Sequence, residues 1–578
     1  MVEHRVERLD GMTIEWNVPI TMDDGLLLRA DVFRPSAPGR HPVLMTHGPY
    51  GKNLSFAQGW PLQFQALVTA WPEVLEGTSA KYHVWETVDP EKWVPEGYVC
   101  VRVDARGSGQ SPGFLDPFSA RESRDYAACI EWAGEQDWSN GRVGLNGISY
   151  YAISQWLVAS LQPKHLSAIC AWEGAADFYR DQTRHGGILS TFWESLAPRQ
   201  IWRVQHGLGS RGLVSDLNGE PVSGDIDLTD EELVANRIDF AGEIRRHVVE
   251  SDFHRSRSAD WSRVEVPFLS AASWAGQGLH PRGNYEAFLR AASPEKFLEG
   301  HGYEHWTTFY TDYGRKLQLR FFDHYLKGED TWSDQPRVLL QVRHPGERFV
   351  ERGESDWPLP DTRWTRSFLD AASMALVETA PQDETTVAYR PLDGDGITFH
   401  APVAEDEIEL TGPFSARLWV SSTTDDADLF LIVRLFDPDG DEVLFSGTVD
   451  PRTPIAQGWL RASQRRLDEN LSTDWRPYHA HDVIEPLTPG VPVALDIEIW
   501  PTCIVVPKGY RLALTIRGTD FDHGLEPDPI RPMMRGSATF FHDDPVDRPP
   551  DRFGGTVAIH TGGDRSSYLL LPAIPKRG

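Results

Sequence analysis

Gly147-Ile148-Ser149-Tyr150-Tyr151-Ala152 sets a serine between Arg142–Leu145, a strand-type run, and a helix-forming run from Tyr150 to Leu161. A serine on a strand-to-helix corner has a strained backbone that lifts its hydroxyl off the sheet. Small neighbours are needed there because strand and helix pass close together. Gly147 meets that need two residues before the serine. The usual rule asks for a second glycine at the position of Tyr151, and Ala152, one further on, is the small residue instead. The chemistry such a corner supports is acyl transfer, with the hydroxyl made nucleophilic by an imidazole that removes its proton. A Gly-Ser turn ahead of an ordinary helix would look the same, so the rest of the chain must carry the weight.

Two imidazoles stand in Glu299-Gly300-His301-Gly302-Tyr303-Glu304-His305-Trp306, after a strand-type run near Lys296–Gly300. His301 to His305 also matches the HxxEH pattern of zinc peptidases, which needs both imidazoles on one helical face. Gly302 and the adjacent strand argue against a helix, so no metal is expected and a zinc site is kept only as a minor alternative. Asp104-Ala105-Arg106-Gly107-Ser108-Gly109 lacks the GxGxxG spacing and the Walker lysine, and reads as a structural turn with a buried Asp–Arg pair. The acidic stretches Asp425–Asp428 and Asp437–Glu442 lack EF-hand spacing and read as solvated turns. No cofactor is expected. His185-Gly186-Gly187 either lines a pocket or marks a helix boundary. The aromatics Trp60, Phe64, Trp71, Tyr82, Trp85 and Trp93 either shape an entrance or pack against a cap.

The elements that must position these groups fall into regions. From 18 to 170, strand and helix signals alternate: Leu26–Phe33, His41–Thr46 and Tyr98–Val103 are strand-like, and Glu122–Gln136 has helical periodicity. Alternation of this kind argues for a mainly parallel sheet covered on both faces. Residues 181–260 are charged and rich in helix formers, and read as a helical insertion. Strand and helix signals return with Val266–Ala271 and a helix His280–Ala292, and a further helix over Leu317–Leu326 ends at Lys327-Gly328. Beyond about 356, after a Trp357-Pro358-Leu359-Pro360 linker, short β-type runs separated by turns dominate. The expected divisions are 1–180, 181–260, 261–355 and 356–578.

The 578 residues carry 56 Lys+Arg against 85 Asp+Glu, a formal charge of −29, which argues against nucleic-acid binding and disfavours anionic membranes. At roughly 100–200 residues per domain, the length suggests about three. No uninterrupted apolar run of about 18 residues is present, and the charged N-terminus lacks the apolar core of a secretory signal. The four cysteines, Cys100, Cys129, Cys170 and Cys503, form no CxxC pair and read as core thiols. A cytoplasmic protein is expected, with no nucleic-acid or membrane partner.

Longer stretches carry a resemblance: Met22–Gly25 with Arg29–Val32, Pro49-Tyr50-Gly51-Lys52, Asp104–Gly113, Gln136–Gly141, Gly147–Tyr150, Gly458–Ser463, Asp496–Pro501 and Gly509–Leu512. Together they resemble the cocaine-esterase and X-prolyl dipeptidyl-peptidase family of serine hydrolases over nearly the whole chain. The resemblance implies an α/β class fold: an α/β-hydrolase core in two parts (1–180 and 261–355), an inserted helical cap (181–260) and a C-terminal β jelly roll (356–578) closing one side of the pocket. It implies Ser149 as nucleophile, with an oxyanion hole from the Tyr50 hydroxyl and the Tyr150 N–H. It implies a base after the last strand, taken as His305, with His301 structural. The family's acid does not transfer, because Gly276, in Ser273-Trp274-Ala275-Gly276-Gln277-Gly278-Leu279-His280, occupies its position. Glu173, after a predicted strand, keeps the order Ser, acid, His and is the expected acid. Glu304 or Glu286 orienting the histidine, or a dyad, or an inert binding protein on a hydrolase scaffold, are the other readings. The implied activity is hydrolysis of a small-molecule carboxylic ester through an acyl-enzyme. X-prolyl dipeptidyl aminopeptidase and β-lactam-ester acylase are the alternatives within the family, and a homo-oligomer is compatible with all of them.

Overall fold

A computed structural model of the chain describes residues 3–447, 452–524 and 541–577. Eleven strands before residue 355 form one sheet: β1 (Arg5–Leu9), β2 (Met12–Thr21), β3 (Leu27–Pro35), β4 (His41–Gly48), β5 (Val99–Asp104), β6 (Ser139–Ile148) and β7 (Leu166–Trp172), then, after a small hairpin of β8 (Arg184–His185) and β9 (Ile188–Leu189), β10 (Phe268–Ser273), β11 (Lys296–His301), β12 (Val338–His344) and β13 (Arg348–Glu354). Their order is β1-β2-β3-β5-β4-β6-β7-β10-β11-β12-β13. The run from β5 to β12 is parallel, and antiparallel strands flank it. Residues of β5 and β10 are buried throughout, as expected of strands covered on both faces.

The covering helices begin where local chemistry allows. Helix Ala120–Gly134 starts at Ser119, whose Oγ accepts from the Glu122 N–H. Helix Tyr150–Ala159 is buried along its whole length and follows β6 after a single residue, Ser149. The segment expected as a helical cap is less regular than its composition suggests. Between 181 and 260 no α-helix exceeds the seven residues of Phe240–Arg246. Helical backbone runs on from Phe192 through Val204 only by passing from α to π to 3-10 turns around Pro198, and Gly207, Gly212, Pro221 and Gly224 interrupt the helix formers beyond it.

Several residues quoted above for their resemblance are structural. Lys52 Nζ reaches Asp31 Oδ1 at 2.7 Å and Asn17 Oδ1 at 2.8 Å, all buried. Asp104 accepts from the Lys52 and Gln110 N–H groups at 2.7 and 2.8 Å. The buried Asp–Arg pair expected in that turn is formed with another acid: Arg106 Nε bonds to Asp125 Oδ2 at 2.7 Å.

Among the described residues, eleven strands between Arg363 and Ile574 make a second sheet. Its last strand, Tyr568–Ile574, pairs with both Arg363–Asp370 and Ile408–Ser422, so the sheet closes on itself. The two halves are pinned by buried polar contacts. Arg343 donates to Cys503 O at 3.0 Å and Thr502 Oγ1 at 2.7 Å, and Arg282 Nε lies 3.0 Å from both oxygens of Glu498. Among the described residues no helix is long and apolar enough to cross a membrane.

Candidate active site

The carboxyl ends of the parallel strands lie in register: Gly48 beside Asp104, Ile148 beside Trp172, and Ser273 beside His301. Loops leaving this edge carry Tyr50, Ser149, Glu173, His280 and His305 toward one another, the usual place for a site in an open α/β sheet. Ser149 has φ 55° and ψ −114°, a conformation L-residues avoid, at a cost of about 1–3 kcal/mol. The departure from the two-glycine rule has a steric reason. A Cβ on Gly48 would lie 2.7 Å from Tyr151 Cε1, so the tyrosine ring takes space that a missing side chain on β4 leaves free. The small residue at Ala152 packs against Gly174, where an added Cβ would lie 3.0 Å from that of Ala152.

The imidazole hydrogen-bonded to Ser149 Oγ is that of His280, with Nε2 at 3.1 Å. The sequence had placed His305 there. His305 stands in the same cavity, its ring centroid 5.7 Å from that of His280, but its Nε2 meets Glu86 Oε1 at 3.0 Å. The helix expected from His280 starts at Pro281, and His280 is its N-cap residue. The only sequence signal for it was its place in the loop where Gly276 had removed an acid.

Glu173 follows β7 with φ 51° and is fully buried. Its Oε2 is 3.6 Å from His280 Nδ1, and these two atoms have no other hydrogen-bond partner. Such bonds are often long before substrate binds. Its other oxygen, Oε1, meets His301 Nε2 at 3.2 Å, while His301 Nδ1 meets Glu299 Oε2 at 2.7 Å. Tyr313 donates to Glu299 Oε1 at 3.0 Å. The chain of contacts therefore runs Ser149, His280, Glu173, His301, Glu299. The other carboxylates considered are engaged elsewhere: Glu286 with Arg290 and Arg476, and Glu304 with Thr307 Oγ1.

Electrostatics separates the two imidazoles on Glu173. Burial, helped by the nearby His305, pushes His280 well below the usual histidine range, so it is neutral and can accept a proton. Burial also opposes charge on His301, but Glu299 and Glu173 overcome it and raise His301 to about 9. A protonated His301 donates from both nitrogens, leaving Glu173 to accept from His280 Nδ1–H. That makes Nε2 the acceptor for the Ser149 hydroxyl. Because the folded value lies above the unfolded one of about 6.5, this stabilisation is complete below about 6.5 and is lost as pH rises through about 9. Thermal melts are expected to show falling stability across that window, and Glu299→Gln is expected to move the loss to lower pH.

A cavity of about 330 Å³ opens on Ser149. The Tyr50 hydroxyl faces it and is engaged by no acceptor among the described residues; burial, then Glu86, keeps it protonated far above its ordinary range. The Tyr150 N–H, at the first turn of its helix, has no acceptor within the helix. The Tyr150 side chain is structural, bonded to Glu122 and stacked on Phe118. Of the aromatic stretch, Trp60 and Trp85 stack at 4.9 Å and line the cavity, whereas Trp93 packs on Tyr98 and Phe322. His185 lines a different contact, bonding His542 at 2.7 Å against Trp459. Among the described residues, those lining the cavity all precede residue 306. The C-terminal sheet acts on the site from behind: Gln277, three residues before His280, donates to Pro501 O at 3.1 Å.

This site on this sheet is that of a hydrolase, and the comparisons agree. The X-Pro dipeptidyl-peptidase (S15 family) signature matches residues 24–306, and the X-Pro dipeptidyl-peptidase C-terminal non-catalytic domain matches 330–570. The solved CocE/NonD family hydrolase from Staphylococcus aureus is 32% identical, covers 98% of this chain and 94% of its own, and superposes with a TM-score of 0.84. Cocaine esterase from Rhodococcus sp. (strain MB1 Bresler) is 28% identical over 98% of this chain and 100% of its own length. A putative Xaa-Pro dipeptidyl-peptidase from Rhodopirellula baltica is 21% identical over 76% and 70%. The chain belongs to the cocaine-esterase and X-prolyl dipeptidyl-peptidase family of hydrolases.

Proposed function

We propose that the protein is a serine hydrolase that cleaves a small-molecule carboxylic ester through an acyl-enzyme. The observation that carries the reading is the 3.1 Å contact between Ser149 Oγ and His280 Nε2 at a strained strand-to-helix corner. Ser149 attacks the carbonyl carbon while His280 takes its proton. The same imidazole returns the proton to the leaving alkoxide, and a water activated by His280 then releases the acid. Glu173 holds the tautomer of His280 and stabilises the imidazolium. His280 thus replaces His305 as base, and Glu173 keeps the acid role expected of it.

The oxyanion is held by the Tyr50 hydroxyl and the Tyr150 N–H. Tyr50→Phe removes one donor and is expected to lower kcat by about 100-fold or more with little change in KM, measured on a 4-nitrophenyl ester. In this reading residues 181–260 are the cap and the C-terminal sheet is a jelly roll that buttresses the His280 loop. The names of the esterase relatives favour an ester over a peptide substrate. Stoichiometric labelling of Ser149 by a fluorophosphonate, abolished by Ser149→Ala, tests the reading; absence of labelling in the folded protein would leave a binding protein on a hydrolase scaffold.

A further inference from the structure

Among the described residues, the cavity beside Ser149 carries an unbalanced positive charge. Arg203 lines it, with its guanidinium carbon 4.5 Å from the Trp60 ring centroid and Nη2 donating to Gly59 O at 3.0 Å. Its Nε is buried without an acceptor. Burial lowers its pKa, with no acid opposing the shift. Arg199, four residues earlier at the exposed rim, bonds among the described residues to its own turn, at Ser195. Neither arginine is paired with a carboxylate among the described residues. Arg180, Arg282 and Arg461, by contrast, each meet an acid at 2.8–3.0 Å, whereas Arg102 and Arg343, which do not line this cavity, bond to carbonyl or hydroxyl oxygens. Glu86, the acid lining the cavity, is already matched by His305 at 3.0 Å. A chain of net charge −29 thus keeps two uncompensated guanidiniums at one apolar, tryptophan-walled cavity. Such a site is completed by an anion, and a planar guanidinium fork matches a carboxylate.

We infer that the cavity selects esters bearing a carboxylate remote from the scissile carbonyl, received by Arg203 with Arg199 at the rim. The inference rests on the hydrolase reading above for its ester, but the anion site itself does not. The stacking face of Trp60 and Trp85 holds the apolar part between the two ends.

Two matched pairs of substrates test it, each normalised to its rate of hydroxide hydrolysis: 4-nitrophenyl hemiglutarate against 4-nitrophenyl butyrate, and 4-carboxyphenyl butyrate against phenyl butyrate. In at least one pair the anionic member is expected to have the higher kcat/KM, by about tenfold. Arg203→Met is expected to erase that ratio, and Arg203→Lys to retain part of it. In the unaltered enzyme the ratio should shrink as salt is raised, a readout that does not depend on any variant folding. A ratio at or below one in both pairs, or a ratio unmoved by Arg203→Met, overturns the inference. A binding measurement separates it from the hydrolase reading. In the Ser149→Ala protein, 4-phenylbutyrate should quench tryptophan fluorescence with a Kd about tenfold weaker after Arg203→Met. Arg203-dependent binding with no turnover of any ester would remove the hydrolase and keep the anion site. Turnover with no dependence on Arg203 would do the reverse.

Discussion

Replacing His280 with alanine is expected to reduce kcat by roughly 10⁴–10⁶-fold, the range set by loss of the base in a serine triad. His280 is the imidazole on Ser149 Oγ, at 3.1 Å, and its depressed proton affinity leaves it neutral at working pH. Fluorophosphonate labelling should slow in parallel, because the same proton must leave the hydroxyl. His305→Ala is the informative partner. His305 is held on Glu86 and lines the cavity, so its loss is expected to act mostly on KM, with kcat changed by about tenfold or less. The reverse order of effects, with His305→Ala the inactive variant, would return the base to the position the family resemblance implied.

Glu173→Gln is expected to lower kcat by about 10³–10⁴-fold while the protein still folds. A glutamine can accept from His301 Nε2 through its carbonyl, but its amide NH₂ then faces His280 Nδ1. That nitrogen must become an acceptor, and the proton moves to Nε2, where it points at the serine hydroxyl. The base is then in the wrong tautomer although every heavy atom keeps its place. Glu173→Asp retains the charge and should recover part of the rate. His301 is a positioning residue in this scheme, because it acts through Glu173. His301→Asn should therefore weaken the alkaline limb of the pH–rate profile near 9, where its own proton is lost, more than it changes KM. A rate unchanged by Glu173→Gln would remove the acid from the scheme and leave a Ser149–His280 dyad.

The parts legible in the sequence were local or periodic. The Ser149 corner was visible because a strand, a small residue, a serine and a helix are adjacent in the chain, and strain at one residue is a local property. The two sheets were visible because fully buried strands of the parallel half, such as β5 and β10, are short apolar runs, and the later strands are turn-punctuated. The place of Glu173, the proposed acid, was approachable because the end of a strand beside the one that leads to Ser149 is a fixed place in a parallel sheet, and β7 does pair with β6 there.

The pairing of charges was decided only in three dimensions. His280, His301 and His305 are alike as residues, and 131 positions separate His280 from Ser149. Sequence spacing after the last strand favoured His305, yet the loop from Gly276 to His280, braced by Pro501 of the other half, reaches the serine. Likewise Arg203 is one of many arginines until the fold sets it in a cavity where Glu86 is already matched by His305 and no described acid pairs with the guanidinium. Backbone strain, helix starts and burial patterns are written over a few residues. Proton affinity and charge balance depend on which distant groups share a low-dielectric space, and only the packed chain determines that.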